Sequence, residues 1–449
     1  MARKKKIIET PVNVNLNEIY PRPIGEVMTE AYLDIGNYVN NHRHMAEVKD
    51  GCKVSYRRLL WASLQFPKGK LIPATNLIAS VANYHPHSLT GIEGLNATLV
   101  NSGVFTGEGS FGFTSITGTD NPPAAPRYLK NRLSDLYWDI IGDLIKYVPK
   151  VESPVGPLEP EYIPSPLPLC MILAGRVSGL GFGLSTIYPN FSPKSLYTAY
   201  INNDPSLLEP NVDLEIDKKK SDLLGLWRYG KGKVTYSYHI TRVSDPATKR
   251  EGVLFSGSTA LFTPKLSKFK KLIEEGKVYF DDLTDFDGPK LFVGRVPGAR
   301  GITVDDIWGI AEKIKSDSTT YVLNVTDSKM AYRIPLFNWL DYMYKNYIQL
   351  ISYANNDKIQ KVTFDIDVQK AIPLVVDYIT NKNPKATDKE ISKNLGIPEE
   401  IIASVMSKPI SNLRKNKDTA EKVKALKAKL SELKKFNPIT FTEKIISEM

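Results

Sequence analysis

Two apolar stripes near the end of the chain constrain its fold more than any other feature. Leu336, Leu340, Met343, Tyr347 and Leu350 are spaced by four, three, four and three residues; Val423, Leu426, Leu430 and Leu433 by three, four and three. Such spacing lines each set along one side of a long helix, as in a coiled-coil seam. The second stripe sits among many lysines, which keep its other side in water. A smaller helical block, roughly 368–410, separates the two, so the chain runs out along one helix and back along another, antiparallel to it. The plainer reading is a helix hairpin inside a core; the lysine-rich outer face favours arms standing in solvent.

The 449 residues leave room for about three units of ~150 residues. Between 191 and 333 the texture is β with helices. Val234, Tyr236, Tyr238 and Ile240 alternate with polar residues as a half-buried strand does, and 252–262, 290–296 and 321–326 read as further strands. Ile307, Ile310, Ala311 and Ile314 follow Thr303 and Asp306, the pattern of a capped amphipathic helix. Residues 1–30 read as an extended basic arm. From Ala31 the pattern is helical, and over 53–65 Tyr56, Leu60 and Leu64 form one stripe with Lys53 and Arg57 on a neighbouring edge. That edge either lies along a phosphate backbone or is an ordinary solvated face. Residues 101–127 read as loop with short strand, and the proline-rich 154–168 as an irregular connection. The expected units are 1–30, 31–190, 191–333 and 334–449, an α+β multidomain chain.

Lys and Arg number 59 against 49 Asp and Glu, a net charge of +10, which favours polyanionic partners. Four of the five histidines fall in two tight groups, His42/His44 and His85/His87. No run approaches the ~18 apolar residues that span a bilayer, and the lysine-rich start lacks a signal peptide's apolar stretch. A membrane partner is therefore not expected. Cys52 and Cys170 stand far apart without a Cys-x-x-Cys pair, which excludes a disulfide scaffold and a cysteine zinc site and fits a reducing cytosol. Walker, Gly-x-Gly-x-x-Gly and His-Glu-x-x-His patterns are absent. The segment Gly107-Glu-Gly-Ser-Phe-Gly112 lacks a lysine and a convincing preceding strand, Gly230-Lys-Gly-Lys233 reads as a turn, and Asp365-Ile-Asp367 as a surface pair. No metal ligands are assigned.

Read in order, six segments form a series: Asp50-Gly-Cys-Lys-Val-Ser-Tyr-Arg-Arg-Leu59, preceded by a stretch from Tyr32 to Arg43; Tyr84-His-Pro-His87; Gly107-Glu-Gly-Ser-Phe-Gly112; Ala125-Pro-Arg-Tyr-Leu129; and Ser178-Gly-Leu-Gly-Phe-Gly-Leu-Ser-Thr186. The order and spacing resemble the breakage–reunion subunit of type IIA DNA topoisomerases, that is gyrase A, its topoisomerase IV counterpart and the short phage-encoded medium subunits. That family shows Asp-Gly-Leu-Lys-Pro-x-x-Arg-Arg, Tyr-His-Pro-His-Gly, Gly-Gln-Gly-Asn-Phe-Gly, Arg-Tyr-Thr-Glu and Ser-Gly-Ile-Ala-x-Gly-x-Ala-Thr. The resemblance implies a winged-helix cleavage domain, an α+β tower and an antiparallel coiled-coil C-gate.

It further implies an enzyme that passes one duplex through a transient double-strand break, with Tyr128 as the nucleophile that becomes linked to a 5′-phosphate. Arg127, Arg43 and His87 stabilise the pentavalent phosphate, and His85 either orients His87 or contacts the backbone. Lys53, Arg57 and Arg58 match the family's DNA-gripping helix. Leu180 matches its apolar wedge between base pairs, against the plainer reading of a buried leucine. Tyr56 stands where a histidine is common, Ser88 replaces a glycine, Glu108 and Ser110 replace Gln and Asn, and Lys130 stands where Glu is usual. These departures fit a divergent, phage-type member. The ATP gate and the metal-binding Toprim domain are expected on a separate gyrase B-like subunit, which brings Mg²⁺ and ATP. Two tyrosines cut two strands, so a homodimer closed at the arms is expected, in the bacterial cytoplasm, including that of a phage-infected cell. Without a DNA-wrapping β-pinwheel, relaxation and decatenation are expected. The competing reading is a non-catalytic DNA clamp on the same fold.

Overall fold

The computed structural model describes residues 22–114, 120–173, 175, 177–245, 250–259, 261–285, 288–327, 330–408 and 419–449. Most of the expected basic arm, 1–21, lies outside these. Its described end is not extended: the helix Ile24–Val39 starts within it, with Pro23 as N-cap. Helix formers (Glu26, Met28, Glu30, Ala31) carry the first turns, with no β-branched run to oppose them.

Three helices, Val54–Ser63, Ala74–Val81 and Thr90–Asn101, pack around Leu59, Leu60, Leu77 and Leu99. Against them lies a three-stranded sheet, Ile72–Pro73, Lys130–Leu133 and Phe105–Glu108 in that spatial order. The helix Val54–Ser63 does not split into a wet and a dry side. Every residue from Arg57 to Ser63 is buried, because neighbouring helices cover one side and the strand Leu158–Pro160 with its flanking coil another.

A five-stranded antiparallel sheet runs Glu215–Ile216, Lys231–Ser237, Ser316–Val322, Ser185–Tyr188, Val177–Leu180. It straddles residue 190, so the change of sequence texture there is not a break in the hydrogen-bonded sheet. Its strand Lys231–Ser237 buries Val234, Thr235, Tyr236 and Ser237 in succession. Both faces are covered, and the chain then leaves at Tyr238 for a second sheet. That sheet orders His239–Asp245, Arg250–Ser256, Lys290–Arg295 and Val278–Asp282, all antiparallel. The helix Val304–Ile314 begins as its sequence predicts: Thr303 and Asp306 exchange side-chain and backbone hydrogen bonds in a capping box.

The first apolar stripe lies on one helix of 46 residues, Leu336–Asn381. Leu336, Leu340, Met343 and Tyr347 are buried, and the stripe then continues through Ile351 and Ala354 rather than Leu350. Beyond, Val368, Ala371, Ile372 and Val375 hold the small helices Asp388–Leu395 and Glu399–Met406 through Ile391, Ile402 and Val405. The helix Thr419–Lys435 returns along the long one with Val423, Leu426, Leu430 and Leu433 half-buried and its lysines exposed. Its end is fixed where Asn355 Nδ2 donates to the Leu433 carbonyl at 3.1 Å. The two are therefore antiparallel. The last helix, Pro438–Glu448, reaches the base, where the Tyr197 hydroxyl donates to Glu443 at 2.8 Å.

Candidate active site

Pro126 biases Ala125 away from the helical region, and Ala125 is extended (φ −57°, ψ 141°). Pro126–Tyr128 then makes a single 3₁₀ turn, closed by the Tyr128 amide donating to the Ala125 carbonyl at 2.9 Å. Leu129 is extended and buried, and its carbonyl accepts from the Ala74 amide at 2.9 Å. Anchoring Leu129 turns its neighbour outward: Tyr128 is 69% exposed. The Arg127 guanidinium lies 4.8 Å from the centre of the Tyr128 ring, a cation–π contact.

Behind this turn stands the glycine segment, which begins on the strand Phe105–Glu108, a short strand within the expected 101–127 loop. Its glycines serve packing. A Cβ on Gly107 would lie 2.4 Å from the Phe111 ring, and one on Gly109, whose φ is +112°, 2.7 Å from Leu129 Cδ2. The strand pairs with Lys130–Leu133 so that Glu108 faces Lys130, and Lys130 Nζ donates to Glu108 Oε1 at 3.1 Å. Two departures from the family pattern thus touch each other.

Arg43 sits on the π-helical turn Asn40–His44 that ends the first helix. Its Nη2 lies 2.7 Å from His87 Nδ1 and its Nε 3.1 Å from His87 Nε2; the Tyr38 hydroxyl is 3.3 Å from that same nitrogen. The His85 and His87 rings meet edge-on, 5.3 Å between centres. Arg58 Nη1 is 3.2 Å from His85 Nδ1. A guanidinium only donates, so His85 Nδ1 is bare and the ring proton is on Nε2. Burial, then the Arg58, His87 and Arg43 charges, push the His85 imidazolium down to about 4. Burial and then Arg43 and Arg58 lower His87. His42 is lowered by burial with Arg58 and Arg57, and His44 by burial with Lys53 and Arg43.

The sign of the resulting pH dependence follows. Unfolded, His85 takes a proton near its ordinary 6.5; folded, it resists until about 4. Stability is therefore full above pH 6.5 and falls as the pH drops toward 4, where the loss levels off. The expected result is a flatter stability–pH profile over that interval for His85→Gln than for the parent, read from urea unfolding. Identical profiles would contradict the assignment.

Leu180 ends the strand Val177–Leu180, which pairs with Ser185–Tyr188 in a hairpin closed by the Gly181 amide donating to the Leu184 carbonyl at 2.8 Å. The leucine is 79% exposed, which removes the reading as a core residue. The hairpin tip is clamped to the Arg43 turn: Asn40 Nδ2 donates to the Phe182 carbonyl at 3.0 Å, and the Phe182 amide to Asn40 Oδ1 at 2.9 Å. Glycine is required at 181, since a Cβ would fall 1.9 Å from Asn40 Oδ1. Lys53 Nζ donates to the Ser178 carbonyl on the same hairpin.

Arg57 and Arg58 do not face outward as expected of phosphate contacts. Arg57 is buried on Asp50, with Nε 2.8 Å from Oδ2 and Nη2 3.3 Å from Oδ1. Arg58 is buried on Glu159, with Nε and Nη2 2.8 and 2.9 Å from its two oxygens. A buried guanidinium must be paired, and these are. Arg58 acts on the site through His85. Asp50, Glu159, Asn40 and Tyr38 were missed from sequence. Asp50 had a signal, an Asp-Gly turn seven residues before an arginine; Glu159, 101 residues from its partner, had none.

The fold thus brings Arg43, His85, His87, Arg58, Lys53 and the Leu180 hairpin together. Among the described residues no hydrogen bond or ring contact joins Tyr128 to Arg43, His85 or His87; its cation is Arg127. Nor is any group of three or more His, Cys, Asp or Glu placed together to hold a metal ion among the described residues. No described helix is long and apolar enough to cross a membrane.

The described face thus carries an exposed tyrosine beside one guanidinium and a second guanidinium against two imidazoles, on a mixed α+β scaffold. Residues 43–237 match the family model for the DNA gyrase/topoisomerase IV A subunit. The DNA gyrase A subunit of Mycobacterium bovis is 29% identical over 205 residues, 42% of this chain and 23% of that protein. The DNA topoisomerase 4 A subunit of Borreliella burgdorferi is 24% identical over 268 residues, 59% of this chain and 41% of that one. For the DNA gyrase A subunit of Buchnera aphidicola the figures are 25% over 309 residues, 62% and 36%. The chain spans less than half the length of these relatives. With the motif series, the matches show that this part of the chain resembles the breakage–reunion subunits of type IIA topoisomerases.

Proposed function

We propose that this chain is the DNA-cleaving subunit of a heteromeric, ATP-dependent type IIA topoisomerase. The observation that carries the reading is the exposed Tyr128 under the Arg127 guanidinium, on a turn inside the matched stretch. The Tyr128 oxygen attacks a backbone phosphorus, a P–O bond to Tyr128 forms, the P–O3′ bond breaks, and the 3′-oxygen leaves and takes up a proton. Resealing is the reverse, and because one ester replaces another no outside energy is consumed in the break. The phenol gives up its proton to solvent as it attacks, and Arg127, beside the ring, offers positive charge to the reacting oxygens. Arg43 and the neutral His87 supply donors to the phosphate oxygens. Lys53 grips the backbone, and Arg57 and Arg58 hold the scaffold beneath it. Two copies form a homodimer closed at the coiled-coil arms, and a gyrase B-like subunit brings Mg²⁺ and ATP, in the bacterial cytoplasm. The winged-helix, tower and C-gate divisions, and relaxation and decatenation as the outcome, belong to the same proposal.

The test mixes the pure chain with supercoiled plasmid, Mg²⁺ and ATP, with and without a gyrase B-like protein. Protein-linked linear DNA that appears only with the partner supports the proposal. DNA retained without any covalent adduct would instead favour the non-catalytic clamp.

Leu180 is the wedge in this reading: an exposed leucine on a clamped hairpin beside cations can enter a base step and kink it. Leu180→Ala leaves the melting temperature unchanged and lowers cleaved complex by about tenfold, the equivalent of ~1.4 kcal/mol of lost unstacking support. The measurement is the bend of an end-labelled duplex by fluorescence transfer together with adduct yield; an unaltered bend would remove the wedge.

A further inference from the structure

Leu129 is extended and points into the core, so the residues on either side of it leave the backbone on the opposite, solvent-facing side. One is Tyr128. The other is Lys130, exposed at the start of the strand Lys130–Leu133, whose Asn131 and Leu133 are buried. A mobile cation therefore shares a face with the phenol two residues away. Arg132, on the same face, is already held by both oxygens of Asp135, at 2.8 and 3.0 Å. Among the described residues Lys130 is held only by Glu108, at 3.1 Å, in a pair more than half exposed on both sides. Such an exposed pair is largely screened by water, so it does little for the fold and yields readily to a stronger anion.

We propose that Lys130 is a DNA-backbone contact on the nucleophile's face, with Glu108 holding its ammonium until a phosphate displaces the carboxylate. The proposal rests on the reading of this face as the one that receives DNA. A strand whose phosphate reaches the Tyr128 oxygen also runs along the face that Lys130 shares, and the ammonium there exchanges a screened carboxylate for a charge-assisted bond to phosphate. Glu108 and Lys130 are then one device. The carboxylate weakens binding by competing for the lysine, and the lysine strengthens it.

The opposite signs make the test. Binding of a fluorescent duplex by the full-length chain is followed by anisotropy across a salt series, in a Tyr128→Phe background so that no strand is cut. Lys130→Gln is expected to weaken binding at least fivefold near 0.1 M salt and to lower the salt slope by about 0.9 for each phosphate no longer neutralised. Glu108→Gln is expected to tighten binding about twofold by freeing the lysine. A pair that only braces two strands would move both variants in one direction, together with their melting temperatures. That result, or an unchanged salt slope in Lys130→Gln, overturns the proposal. Because affinity is read without cleavage, absence of an adduct in the parent chain would count against the nucleophile and leave the Lys130 result to be judged by itself.

Discussion

Tyr128→Phe is expected to abolish protein-linked DNA while leaving the fold and DNA affinity intact. The substitution removes one oxygen from a side chain that is 69% exposed, and among the described residues nothing hydrogen-bonds to it. Surface changes of this kind stay within about 0.5 kcal/mol, so the melting temperature is expected to match the parent's. Nor does the substitution disturb the Arg127 contact, since a phenylalanine ring offers the same π-face to the guanidinium. The chemistry has no substitute. Without the oxygen no ester to the chain forms, and water attacking in its place would give irreversible cleavage. The expected fall in adduct is at least 10⁴-fold, at the detection limit of a denaturing gel with labelled DNA. Wild-type levels of adduct in this variant would move the nucleophile to another residue. Arg127→Ala separates two contributions: the oxygen remains but its cation is gone, and a loss of about 10²–10³-fold is expected, the range for removing one preorganised charge-stabilising group.

The sequence made long-range architecture legible wherever a period repeats. The stripe from Leu336 and the one from Val423 became two antiparallel helices because a heptad-like pattern has one stable use, burial along a seam. Thr303 and Asp306 announced their helix because a cap is a local interaction, complete within four residues. Failure came where a neighbour distant in sequence overrode a local pattern. The strand around Val234 ceases to alternate because both its faces are covered. Arg57 and Arg58 read as surface cations because arginine is seldom buried, yet each lies within reach of a carboxylate, Asp50 nearby in the chain and Glu159 far from it. The Tyr128 turn was legible through Pro126, whereas the bounds of the short strand that runs into the glycine segment were blurred by Gly107. Motif order pointed to the candidate site, but it could not separate residues exposed to a ligand from those that hold them in place.

That distinction has a measurable consequence at Asp50. Its side chain is fully buried and accepts four hydrogen bonds: Arg57 Nε at 2.8 Å, Arg57 Nη2 at 3.3 Å, the Cys52 amide at 2.8 Å and the Ile163 amide at 3.0 Å. Glycine at 51 is part of the same arrangement, since with φ +66° a Cβ there would lie 2.6 Å from Pro168 Cα. Asp50→Ala strands the Arg57 charge and two amides in the core, and breaking a buried pair from one side costs about 3–5 kcal/mol. For a unit of this size that lowers the melting temperature by roughly 10 °C, followed by calorimetry. Replacing both partners with apolar residues of similar volume (Asp50→Leu with Arg57→Met) leaves no stranded charge and is expected to recover most of the loss on the arginine side, though not the two amides. If Arg57 were instead a phosphate contact held loosely by Asp50, Asp50→Ala would free it, DNA binding would tighten and the melting temperature would move by less than ~2 °C. The two readings thus predict different outcomes for one variant, a large loss of stability or tighter binding with the melting temperature nearly unchanged, and the buried geometry favours the first.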